Sequence, residues 1–272
     1  MSFERVSQDG LVLLGCGKMG SALLAGWLAR GLEPSAVWVL EPSPSEWLKS
    51  TGVRINASLP SNPAVALLAV KPQMMGDALP SMQALGDGQT LFVSIAAGTS
   101  ISTFEAALGR RTPIVRSMPN TPAAIGQGIT AFVGNDHCDA ADLDLAETLL
   151  KAVGQTVRLE TEEQIDAVTA VSGSGPAYVF HLIETLARAG ELEGLSPQMS
   201  LQLARATVAG AGALAIADTA QDPGQLRVNV TSPGGTTQAA LEVLMDENSG
   251  FPPLLKRAVK AAADRARELA ND

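Results

Sequence analysis

Three glycines at G-x-G-x-x-G spacing, in Gly15-Cys16-Gly17-Lys18-Met19-Gly20, follow the apolar run Leu11–Leu14 and open a helical stretch. That context suits an anion held by backbone N–H groups. Gly15 permits the tight turn, Gly17 lets the backbone approach a diphosphate, and Gly20 allows close helix-to-strand packing, with the anion at the helix N-terminus. Cys16, Lys18 and Met19 complete this candidate cofactor loop. Glu41 ends the next strand-like run, 21 residues beyond Gly20, where such a site places the residue that meets the adenosine ribose. A carboxylate there suits a ribose 2′-OH and repels a 2′-phosphate, and the nearest basic residue downstream is Lys49, so charge favours NADH over NADPH. Ser43 and Ser45 could bond a phosphate if Glu41 turns away, and an ordinary solvated acid is the other reading of Glu41.

Further turns carry residues of the same kind. Ala69-Val70-Lys71-Pro72-Gln73 ends a strand and bends sharply, because Pro72 lacks an N–H and biases Lys71 away from helix. Lys71 either lies along the cofactor or is solvated. Ser94-Ile95-Ala96-Ala97-Gly98 repeats the pattern one strand later, and its small residues leave space for a nicotinamide ring. Met118-Pro119-Asn120-Thr121-Pro122 is a rigid turn that could floor the nicotinamide. Ser172-Gly173-Ser174-Gly175-Pro176 breaks a helical run, where Gly and Pro cost roughly 1 and 3 kcal/mol relative to Ala. It is either a functional irregularity or a plain kink. Ser232-Pro233-Gly234-Gly235-Thr236-Thr237 precedes another helix, so its N–H groups are either a site for a compact carboxylate or an ordinary capped turn.

These turns need a scaffold. β-branched runs at 11–14, 37–40, 65–70, 91–95, 114–116, 129–133 and 156–159 alternate with helix-length segments, the pattern of a largely parallel, doubly wound sheet. The order leaves open which later strands run antiparallel. Beyond Glu160 the β-runs stop, and helical spacing continues through 165–189, 197–217, 236–245 and 253–269. The fold class is therefore an α/β N-terminal Rossmann-like doubly wound domain, 1–160, followed by an all-α C-terminal domain, 161–272, with Thr161 and Gln164 forming a helix-start pair at the boundary. Residues 201–217 are rich in Ala and Gly and almost uncharged, which suits either a helix buried against another subunit or the core helix of a monomer.

Composition narrows the function. A net charge of −9 with dispersed Lys and Arg argues against nucleic acid. No stretch of about 18 residues escapes polar interruption, so no membrane span is expected, and the start has no apolar core behind a basic flank, so a cytoplasmic location is expected by default. Cys16 and Cys138 match no metal-ligand spacing, and no metal is expected.

Taken together, Gly15 to Gly20, Ala69 to Gln73, Ser94 to Gly98, Arg116-Ser117-Met118-Pro119-Asn120-Thr121-Pro122, Ser172 to Tyr178 and Ser232 to Thr237 resemble the pyrroline-5-carboxylate reductase family, in order and nearly end to end. The last three blocks discriminate it from other dinucleotide-binding chains. The resemblance implies hydride transfer from NAD(P)H to the imine of 1-pyrroline-5-carboxylate, giving proline. It places the Thr237 hydroxyl near the imine nitrogen and Ser232, Gly234, Gly235 and Thr236 around the substrate carboxylate. Cofactor contacts fall to Gly15, Cys16, Gly17, Lys18, Met19, Gly20, Glu41, Ala69, Val70, Lys71, Pro72, Ala96, Ala97, Gly98, Pro119 and Asn120. The helical domain becomes a dimerisation domain, giving a homodimer or a larger assembly of dimers. Departures are Ser117, where a small apolar residue is usual, the Ala187-Arg188-Ala189-Gly190 step, and Glu41, since relatives often carry Ser, Arg or Asn there and many take NADPH. Two rivals are weaker. A hydroxyacid reductase wants a Lys on the first interdomain helix and 165–189 has none, and a non-catalytic sensor predicts a degraded 232–237 loop.

Overall fold

The computed structural model describes residues 3–271 and resolves into two compact units. The first runs to Gly173 and takes in the chain from Ala263 on, and the second is Ser174–Ala262. In the first unit, strands β1 (Leu11–Leu14), β2 (Val37–Leu40), β3 (Arg54–Ile55), β4 (Val65–Leu68), β5 (Leu91–Ser94), β6 (Ile114–Met118), β7 (Gly128–Gly134) and β8 (Gly154–Arg158) form one sheet. Their order is β3-β2-β1-β4-β5-β6-β7-β8. Every neighbouring pair is parallel except β6 and β7. Helices α1 (Glu4–Asp9), α2 (Lys18–Ala29), α3 (Glu46–Ser50), α4 (Pro72–Ala78), α5 (Ile101–Leu108), α6 (Ala140–Leu150) and α7 (Gln164–Val168) also belong to it.

The central strands are buried on both faces, and their side chains alternate between two cores. Leu11, Leu13, Val65, Leu67, Leu91 and Val93 pack with Trp27 and Leu149, whereas Val12, Leu14, Ala66, Leu68 and Phe92 pack with Met82 and Phe104. Period-two alternation with apolar residues at both phases gives this two-sided burial. The indole N–H of Trp27 donates to Leu149 O at 2.9 Å and so satisfies its one polar atom inside the first core.

The strands at 65–70 and 91–95 end earlier than their apolar runs, at Leu68 and Ser94, as the chain turns out of the sheet. β3 has two residues, too few for a period, and is held on β2 while the Arg54 guanidinium stacks 4.5 Å from the centroid of Trp38. The helical run at 165–189 is not continuous. It comprises α7, a π-helical turn at Thr169–Gly173, and α8 (Gly175–Leu192). The first compact unit extends to Gly173, because 161–173 stays packed on the sheet: Ile165 enters the second core and Glu162 pairs with Arg116. Gln164 Oε1 accepts from the N–H groups of Glu160 and Thr161, which is half of the expected helix-start pair; Glu163 is the N-cap.

The second unit holds α8, α9 (Pro197–Ala217), α10 (Pro223–Asn229), α11 (Thr236–Leu244) and the start of α12 (Phe251–Asn271). α10 lacks a long apolar face and was not legible as a helix. α8 and α9 approach closely where Gly190 faces Ser200, a Cβ on Gly190 coming within 3.0 Å of Ser200 Oγ. The Ala187 to Gly190 departure therefore supplies small residues at a helix contact. Ser200 and Ala204 are the only buried residues of α9, so the reading of this helix as a monomer's core is overturned. Arg205 is its one charged residue. By length and composition α9 is long and apolar enough to cross a membrane, with Gln202 and Arg205 among its polar interruptions.

On the outer strand, Glu147 of α6 accepts from Lys151, Thr156 and Arg158. The hydrogen bonds from Lys151 and then Arg158 hold its carboxyl down at about 2. A depressed carboxyl contributes stability above its unfolded value, about 4.3, and loses it as pH falls through the folded one. Glu147→Gln should therefore lower the melting temperature at neutral pH, and the difference from the parent should shrink between about pH 4.5 and 2, as followed by acid titration of circular dichroism.

Candidate functional site

The chain leaves β1 in two directions across the sheet, first to β2 and β3, then back to β4, so the order reverses between β1 and β4. The carboxyl ends of parallel strands on either side of such a reversal open a crevice. Gly15 turns out of β1 with φ +89°, and its N–H donates to Leu40 O at 2.8 Å. A Cβ on Gly15 would meet Val70 Cγ1 at 2.9 Å, so Ala69 and Val70 back this turn. Gly17 is the N-cap of α2, and a Cβ there would have no neighbour within 4 Å. A Cβ on Gly20 would come within 2.6 Å of Gly15 O. The middle glycine thus faces open space while the outer two are confined by conformation and contact.

Glu41 turns toward this loop. Its Oε2 accepts the Cys16 N–H at 2.8 Å and its Oε1 accepts the Ser43 N–H at 3.0 Å, so it is not a free, solvated acid. Asn56, at φ +50°, grips the backbone of Glu41 from both sides, Oδ1 accepting its N–H and Nδ2 donating to its carbonyl, each at 2.9 Å. Sequence reading missed Asn56; its signal was an Asn, the residue type most tolerant of the left-handed region after Gly, directly after a strand. Ser45 is spent as the N-cap of α3. Burial and then the nearby Glu41 push the Cys16 thiol up to about 11, so it stays protonated at neutral pH. Burial raises Cys138 to about 12.

The remaining loops of the first unit extend the row. Lys71 is the exposed N-cap of α4, with Pro72 as its first residue. After β5, the Ala96 N–H donates to Ser94 Oγ at 3.2 Å, Ala97 is exposed, and Gly98 has φ +73°. Ser117 is buried, and its hydroxyl donates to Ser94 O at 2.8 Å, which satisfies the polar atom that made this position a departure. Beyond β6, Asn120 Oδ1 accepts the Ile129 N–H at 2.9 Å and shapes the Pro119–Asn120 turn. Gly173 closes the π-helical turn against Met118, where a Cβ would sit 2.7 Å from Cε. A cavity of about 950 Å³ lies beside Gly98, with Met75, Thr103, Arg116, Asp166 and Leu269 in its wall. Glu162 is a functional candidate that the sequence did not single out, and Arg116 opens a family block but had no role of its own assigned.

In the second unit, Gly234 has φ +71° and Gly235 is the N-cap of α11. The Gly234 N–H donates to Gln238 Oε1 at 2.7 Å and the Gly235 N–H to Ser232 O at 3.0 Å. Those two donors, expected to point outward, are engaged within the loop, and the first-turn N–H groups of α11, those of Thr236, Thr237 and Gln238, are the ones a helix leaves without an intrahelical acceptor. His181 pairs with Glu184 on an exposed face. Among the described residues, no group of three His, Cys, Asp or Glu could hold a metal ion.

Comparison with known proteins resolves the two halves. A family model described as pyrroline-5-carboxylate reductase dimerisation matches residues 162–269, and one described as NADP oxidoreductase, coenzyme F420-dependent, matches residues 11–98. The chain is 38% identical to a pyrroline-5-carboxylate reductase of Pseudomonas aeruginosa, over 97% of this chain and 98% of that protein. The chain belongs to the pyrroline-5-carboxylate reductase family. A solved pyrroline-5-carboxylate reductase from Coxiella burnetii superposes with a TM-score of 0.90 at 34% identity, covering 96% of this chain and 98% of that one. A Plasmodium falciparum pyrroline carboxylate reductase solved with NADP bound gives a TM-score of 0.82 at 29% identity, with 97% and 99% coverage. The reductase family fold is thus a Rossmann-like sheet followed by a helical dimerisation domain.

The open space at Gly17 generates a test. Gly17→Val should leave the melting temperature near the parent's while abolishing binding of a nicotinamide dinucleotide, measured by quenching or transfer of protein fluorescence. Parental affinity in that variant would remove the loop from the site.

Proposed function

We propose that this chain reduces the C=N bond of 1-pyrroline-5-carboxylate with NAD(P)H to give L-proline, the last step of proline biosynthesis. The observation that carries the reading is similarity to pyrroline-5-carboxylate reductases along the whole chain, joined to a glycine loop whose middle residue leaves space for a diphosphate. In this reading the loop from Gly15 to Gly20 binds the diphosphate, Ala69 to Pro72 run along the dinucleotide, and Ala96 to Gly98 with Pro119 and Asn120 border the nicotinamide. When bound, the reduced cofactor supplies hydride to the imine carbon.

The chain's own task is then to hold the ring and deliver a proton to its nitrogen. The carbon of a neutral imine becomes electrophilic as its nitrogen takes a proton, relayed from solvent through the donor, so orientation supplies most of the acceleration and no strong base is needed. The first-turn N–H groups of α11, from Thr236 on, hold the carboxylate, the Gly234–Gly235 turn shapes the loop that presents them beside Ser232, and the Thr237 hydroxyl donates to the imine nitrogen. The 161–272 domain pairs with a second copy, covering apolar residues such as Phe180, Leu203, Ile216 and Val243 that are exposed in the single chain. The reaction belongs to the cytoplasm. For cofactor choice, the Glu41 carboxylate supports NADH: fixed by two N–H groups, it retains lone pairs for a ribose hydroxyl and repels a phosphate.

The test is loss of reduced-nicotinamide absorbance with pyrroline-5-carboxylate, run with each cofactor. Thr237→Ala should lower turnover by roughly 10² or more, the usual scale of a lost proton donor, with cofactor affinity little changed; unchanged turnover would sink its role. Glu41→Ser should raise the NADPH-to-NADH ratio of kcat/KM, and an unmoved ratio would show that the carboxylate does not face the ribose.

A further inference from the structure

Arg116 and Glu162 have no part in the roles above, yet they join the loops that carry them. Arg116 lies on β6 and is 5% exposed. Its Nη1 donates to Glu162 Oε1 at 2.6 Å, and its Nε is buried with no hydrogen-bond partner. The same Glu162 oxygen accepts the N–H of Ile101 at 2.8 Å. Ile101 is the first residue of α5, immediately after the loop that holds Ala96 to Gly98. In the sheet, Arg116 stands opposite Ser94, the residue whose hydroxyl and carbonyl already take the Ala96 N–H and the Ser117 hydroxyl. Pro119 and Asn120 follow Arg116 along the chain. A buried charge with an unmade hydrogen bond is costly, and an apolar side chain could fill the position without that cost. Stability therefore does not account for the pair.

We propose that the Arg116–Glu162 pair is a positioning device for hydride transfer. One carboxylate oxygen takes two donors, and so clamps the start of α5, with the Ala96 to Gly98 loop, against the strand that carries Pro119 and Asn120. The proposal rests on the reading that these two loops border the nicotinamide. Without the clamp the start of α5 loses its tie to β6, leaving the Ser117–Ser94 bond as the side-chain link described between the two loops, and a displacement of about 1 Å between reacting groups can cost on the order of 100-fold in rate.

Arg116→Met removes the cation and fills the space with apolar atoms, while Glu162 keeps the Ile101 N–H. It should lower kcat roughly 10- to 100-fold, leave dinucleotide affinity near the parental value, and raise the deuterium isotope effect on kcat with C4-deuterated cofactor. Arg116→Lys, which restores the charge, should recover part of the rate. A folded Arg116→Met protein with parental kcat and isotope effect overturns the proposal. If the single variant melts early, Arg116→Met combined with Glu162→Gln removes both charges: stability recovered without turnover supports positioning, and the two recovered together overturn it. Ala97→Leu tests the underlying loop reading separately. It should weaken dinucleotide binding, and parental affinity there would sink the loop assignment and the proposal with it, whatever Arg116→Met does.

Discussion

Burial of the central strands on both faces is the constraint on which the first unit depends. β1, β4 and β5 present apolar side chains alternately to two cores, so every connection between them must cross over a face, and parallel strands joined by crossover helices follow. The chain fills one side of β1 and then the other. The loops at the carboxyl ends of β2, β1, β4 and β5 consequently lie along one edge, where Glu41, Gly15, Ala69 and Ala96 are met in succession. The site is a product of topology before any of its side chains is considered.

Polar groups along that edge are held by one another rather than by solvent. Glu41 binds two backbone N–H groups while Asn56 binds the backbone of Glu41. One strand pair away, Ser94 is bonded by Ser117 and by Ala96, and Glu162 joins Arg116 to the start of α5. Each bond is worth only about 1 kcal/mol net. Their joint effect is geometric: neighbouring loops are referred to common atoms, which suits chemistry whose rate depends on separation more than on an acid or base.

The helical unit shows the opposite economy. Within one chain its helices bury few residues, among them Ala187, Ser200 and Ala204, while Phe180, Leu192, Leu203, Leu214 and Ile216 stay exposed. Small residues at the α8–α9 contact let two helices approach without producing a core. An apolar surface of that extent is the mark of an association surface, in keeping with the dimerisation model that covers 162–269.

By itself the sequence determined what depends on local chemistry and period. The glycine spacing at 15, 17 and 20, the doubly apolar strands, the switch from β-runs to helical spacing after Glu160, and the family blocks were all legible, because each is written within a few residues. Tertiary structure alone decided what depends on residues far apart in the chain. It turned Glu41 toward Cys16, recruited Asn56 and Glu162, made β7 antiparallel to β6, and kept 161–173 on the sheet. Of these only Asn56, an Asn directly after a strand, has a local signature. Only the closing of the sheet brings the Asn56 amide to the Glu41 N–H, 15 residues away, and the Glu162 carboxylate to Arg116 and to the Ile101 N–H, 46 and 61 residues away.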